Sequence, residues 1–80
     1  MKLAVIKDLV ENKTLPELIE AETQLLNGNS IKFDVPGEDE GEQLTHILAA
    51  IEILKQVEND NIDLRTAIKD FFKRVRNSIS

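Results

Sequence analysis

Glu38-Asp39-Glu40-Gly41-Glu42 leads, after Gln43, into Leu44-Thr45-His46-Ile47-Leu48-Ala49-Ala50-Ile51-Glu52-Ile53-Leu54-Lys55-Gln56-Val57. Four carboxylates in five positions precede a stretch in which nine of fourteen residues are apolar. Acids favour the positive end of a helix dipole, and Asp39 as N-cap with Glu42 three residues on forms a capping arrangement. The apolar residues do not keep to one stripe, since Ala49 and Ile53 fall away from the Leu44–Leu48–Ile51 line. A helix that is apolar on most sides has to be covered by several neighbours at once. This segment is read as the central helix, and the rest of the chain has to supply the elements that wrap it.

Immediately upstream, Ile31, Phe33 and Val35 alternate with Ser30, Lys32 and Asp34, between Asn27-Gly28 and Pro36-Gly37. A period of two bounded by turn signals predicts a short strand or extended arm over 30–35. No second strand pattern is there to pair with it, so its backbone needs a partner, and the same segment of another copy is the first candidate. Further back, Thr14 and Glu17 make a capping box with Pro16 in the first turn, where its missing N–H costs nothing. Leu15, Leu18, Ile19, Glu22, Leu25 and Leu26 follow at helical spacing and Asn27-Gly28 supplies the stop, which predicts a helix over about 14–27. Leu3-Ala4-Val5-Ile6 alone could equally begin a strand. The opening Lys2–Asn12 is read as a helix, because Leu3, Ile6 and Val10 suit one helical face with Leu9 beside it, and Lys7, Asp8 and Glu11 fall between the later apolar residues.

Downstream, Asn59-Asp60-Asn61 marks a turn and Asp63 is the expected cap of a final helix. Leu64, Ile68, Phe71, Val75 and Ile79 form its apolar stripe, with Ala67 and Phe72 on the shoulders. Arg65, Lys69, Lys73 and Arg76 follow at intervals of four, four and three, so they share one basic ridge. The expected fold is mostly all-α: a small bundle of three to four helices with one short extended arm, as a single domain over residues 1–80.

Composition narrows the chemistry. The 80 residues hold no Cys and one His, which excludes disulfides, thiolate nucleophiles, zinc knuckles and any site needing two imidazoles from one chain. Ten basic residues stand against fifteen acidic ones, for a net charge of −5. No apolar run is long enough for a signal-peptide core or a membrane span, so a cytoplasmic location without membrane association is expected. There is no glycine-rich phosphate loop, no calcium loop, and no Asp-Ser-Leu carrying site of the kind found in acidic carrier domains. Neither a catalytic residue nor a cofactor is expected.

Two clusters remain as candidate sites. Glu42 and His46 stand one helical turn apart, a spacing able to share a divalent metal, but a lone Glu–His pair is an incomplete ligand set. The ordinary reading is a charged helix start and a histidine hydrogen-bonded at a helix contact. The ridge of Arg65, Lys69, Lys73 and Arg76 suits phosphate, yet the whole chain is acidic and no aromatic platform is interleaved with it. A solvated or salt-bridged helix face is the better reading.

The opening Met1-Lys2-Leu3 with Val5-Ile6-Lys7, the block Asp39-Glu40-Gly41-Glu42-Gln43-Leu44-Thr45-His46 and the ending Lys73-Arg74-Val75-Arg76-Asn77-Ser78-Ile79 resemble a family of small uncharacterised bacterial proteins, a domain of unknown function. The resemblance spans most of the chain and implies a free-standing cytoplasmic protein, without transferring an activity. It makes Glu42, Gln43, Thr45 and His46 the candidate polar site.

A small single core seldom holds more than ~3–5 kcal/mol net. With an unpaired arm and a broad apolar central helix, self-association is the natural remedy. The leading expectation is a non-enzymatic homodimer, joined through Ile31, Phe33, Val35, Ala49 and Ile53, that presents a charged surface to another protein. A nucleic-acid regulator using the basic helix and a metal or small-ligand site at Glu42/His46 are the alternatives.

Overall fold

The computed structural model describes residues 2–78, and its four helices are α1 (Leu3–Asn12), α2 (Leu15–Leu26), α3 (Glu40–Asp60) and α4 (Leu64–Ser78). Each of α1, α2 and α4 packs on α3, which therefore is the hub of the fold. The molecule measures 32 × 29 × 17 Å. Its thinnest dimension is less than two helix diameters of ~10 Å, so no helix is wrapped on every side by others.

Local sequence explains most helix ends. Thr14 accepts from the Glu17 amide while the Glu17 carboxylate accepts from the Thr14 N–H at 2.9 Å, closing the capping box of α2. These Thr14 hydrogen bonds, from its amide first and its hydroxyl second, hold the Glu17 carboxyl below its ordinary range, with Lys13 adding to the effect. At the other end of α2, Gly28 adopts φ 77°, with Gly28 N–H donating to Leu25 O and Asn29 N–H to Gln24 O. That is a Schellman ending, which needs the left-handed conformation glycine takes without cost.

Helix α3 runs beyond the apolar stretch at both ends, taking in Asn59 and Asp60 and stopping at Asn61 in the left-handed conformation, φ 53°. Asp39 caps its start by accepting from the Glu42 amide at 2.8 Å. The return half of a capping box is absent: Glu42 Oε1 is buried and has no partner among the described residues. Asp63 caps α4 by accepting from the Thr66 amide at 2.7 Å. That amide and the Thr66 hydroxyl lower the Asp63 carboxyl from its ordinary value, helped by Arg65 and Lys69.

The core draws on every helix. Ile6, Leu9 and Val10 come from α1, Leu18 and Ala21 from α2, and Ala67, Ile68 and Phe71 from α4. They enclose Ile47, Ala49, Ala50, Ile51 and Ile53 of α3. Between Glu42 and Val57 of α3 only the line Thr45, Leu48, Glu52 and Lys55 is exposed, as a helix covered by three neighbours requires. On α4 the apolar stripe is inward from Leu64 to Val75, and Ile79 lies outside the described residues.

Residues 30–35 correct the expected strand or arm. The alternation is present, with Ile31 and Phe33 half-buried, Val35 buried, and Ser30, Lys32 and Asp34 exposed. No strand forms among the described residues, because the segment folds onto its own chain instead of joining a ladder. Lys32 pairs with Glu20 of α2 at 2.9 Å, and the Lys13 ammonium lies 4.5 Å from the centre of the Phe33 ring. The carbonyls of Val35 and Pro36 are taken up by side chains of α3. A period of two reports which side chains point inward; it is silent on what bonds the backbone.

Candidate functional site

Gln43 and His46 lie three residues apart on the first turns of α3 and so share a face. Gln43 Nε2 donates to Val35 O at 2.9 Å. His46 is completely buried, with Nδ1 2.8 Å from Pro36 O and Nε2 2.9 Å from the Lys2 amide nitrogen. A carbonyl only accepts and an amide N–H only donates. The partners thus assign the tautomer: Nδ1 carries the proton and Nε2 offers its lone pair. One ring ties together three pieces of chain, namely the start of α1, the 30–36 segment and α3.

The seam between that segment and α3 is close. A Cβ on Gly37 would stand 2.9 Å from both Gln43 Cγ and the Gln43 backbone nitrogen. The backbone half of that clash cannot swing aside, so Gly37→Ala is expected to lower stability by about 1–3 kcal/mol, measured by urea unfolding. A variant as stable as the parent would mean that the seam is loose.

The four candidate polar residues thus divide. Gln43 and His46 meet in one clip, while Thr45 is exposed and its hydroxyl donates back to Gly41 O at 2.9 Å. Glu42, one turn before His46, keeps the unpartnered Oε1. A general base or metal ligand needs a free nitrogen aimed at a cavity. Both nitrogens of His46 are committed to backbone groups, and among the described residues no three His, Asp or Glu side chains stand together as a metal site. The clip positions chain segments rather than reacting groups.

Of the residues expected at a contact between copies, Val35, Ala49 and Ile53 are buried within the single chain, and Ile31 and Phe33 are half-buried against its core. Arg65, Lys69, Lys73 and Arg76 all lie exposed on α4, and none forms an ion pair among the described residues. Arg74 points the other way, bonding Glu52 at 3.0 Å and Gln56 at 3.3 Å across the α3–α4 contact.

Two surfaces were not singled out in the sequence. Leu15, Ile19, Glu22 and Leu26 run along one edge of α2 at intervals of four, three and four, with Ile19 41% and Leu26 67% exposed. The spacing itself was the available signal. The second is a groove between α1 and α4, which no local pattern could disclose because it needs the two helices side by side.

Fold and site together define a small four-helix all-α protein whose polar centre is a structural histidine clip. No described helix is long and apolar enough to cross a membrane. The chain belongs to the family of unknown function DUF6952, which it matches over residues 1–80. No curated protein and no solved structure was found to match it.

Proposed function

We propose that the chain is a non-enzymatic protein–protein interaction module that works as a homodimer, its two copies meeting along the edge of α2. The observation that carries this reading is the exposure of Leu26 and Ile19 on a single edge. The four-three-four spacing of Leu15, Ile19, Glu22 and Leu26 is that of a seam between two paired helices. An antiparallel match sets Leu15 opposite Leu26 of the second copy and Ile19 opposite Glu22, so the two Glu22 carboxylates are kept apart. Helix α2 offers about 18 Å of such a seam, which suits a concentration-dependent dimer rather than an obligate one.

Sedimentation velocity over the micromolar range is the test. The expected result is a monomer–dimer equilibrium that Leu26→Glu shifts to monomer while the helical circular dichroism is unchanged. A parent protein that stays monomeric at every concentration overturns the reading.

A further inference from the structure

The groove between α1 and α4 encloses about 630 Å³. Its floor is apolar: Leu64, Ile68 and Phe72 recur every four residues along α4, with Leu64 and Phe72 only half covered. Its rim carries Lys7 from α1 and Arg65 and Lys69 from α4; Glu11 is the one carboxylate of its lining, and Asp63 stands within electrostatic reach of Arg65 and Lys69. None of these three cations forms an ion pair among the described residues. Lys73 and Arg76 continue the same charged side toward the end of α4. In a chain of net charge −5, this is where the positive charge collects.

We propose that this groove docks an acidic amphipathic helix of another protein. An apolar floor flanked by cations is complementary to a helix with apolar residues at i, i+4 and i+7 and Asp or Glu on either side. The floor from Leu64 to Phe72 spans two helical turns, about 12 Å, so two to three turns of partner fill it. A second copy seated symmetrically in the groove would face Lys7, Arg65 and Lys69 with themselves, which like-charge repulsion opposes. Duplex nucleic acid fits the cations but offers nothing for Leu64, Ile68 and Phe72 to cover, and the acidic remainder of the chain repels it. The docking surface is distinct from the α2 edge and does not depend on the dimer.

The test titrates the full chain into a labelled helix-forming peptide of about 12 residues, with leucine at i, i+4 and i+7 and glutamate on both flanks. A lysine-for-glutamate version and a mixed-sequence DNA duplex are run beside it. The expected result is saturable binding of the acidic peptide alone, with amide shifts concentrated at Lys7, Ile68, Lys69 and Phe72. Reversing two exposed rim charges in Lys7→Glu/Lys69→Glu is expected to weaken binding by about tenfold with helicity intact. Leu26→Glu is expected to leave it unchanged, which separates this result from the fate of the dimer. Equal binding of the lysine peptide, no saturation, amide shifts on α2, or tighter binding of the duplex each overturn the proposal.

Discussion

His46→Ala is expected to remove most of the protein's stability, about 2–4 kcal/mol out of the ~3–5 kcal/mol typical of so small a core. The imidazole is fully buried, so alanine leaves a hole where the ring packs. It also frees the Pro36 carbonyl and the Lys2 amide, whose residues are exposed, so water recovers part of each hydrogen bond. The larger share of the loss is therefore packing and the detachment of two chain segments at once. Two replacements divide the effect. His46→Asn keeps a donor near the Nδ1 position for Pro36, and His46→Gln places an acceptor near the Nε2 position for Lys2. Each is expected to recover part of what alanine loses, read as the urea midpoint of the helical signal. An alanine variant with the parent midpoint would show that the ring ties nothing together.

Ile53→Ala is the second large effect, with an expected cost of about 2–5 kcal/mol. Ile53 is 0% exposed on the helix that the other three all touch, so its removal opens a cavity that no single helix can close by shifting alone. Leu48, four-ninths exposed at 44% on the solvent line of the same helix, is the control. Leu48→Ala is expected to cost under about 1 kcal/mol, because little packing is lost. Thermal unfolding makes the comparison directly, since 1 kcal/mol moves the midpoint by roughly 4–8 °C in a domain of this size. Equal shifts for the two variants would contradict a core centred on α3.

What the sequence could reveal follows the range of the interactions involved. Thr14 with Glu17, Asp39 with the Glu42 amide, Asp63 with the Thr66 amide, and Gly28 after Leu26 all act within three or four residues. Each is visible to anyone reading along the chain. The apolar excess of 44–57 was equally legible as a helix with several neighbours, and it has three. The extended stretch was legible only in part: its inward and outward faces came from alternation, its bonding did not.

By itself, then, the sequence determined a bundle of three to four helices, the caps of α2, α3 and α4 and the rank of α3, because helix periodicity and capping are local physics. Tertiary structure alone decided where residues 30–36 go. Their carbonyls are claimed by Gln43 and His46, and the other nitrogen of His46 reaches the Lys2 amide 44 residues away. It also set Lys7 beside Arg65 and Lys69 to make one groove from two distant helices. A hydrogen bond or a charged rim between segments so far apart leaves no period in the chain. It exists only once the core has brought the helices together.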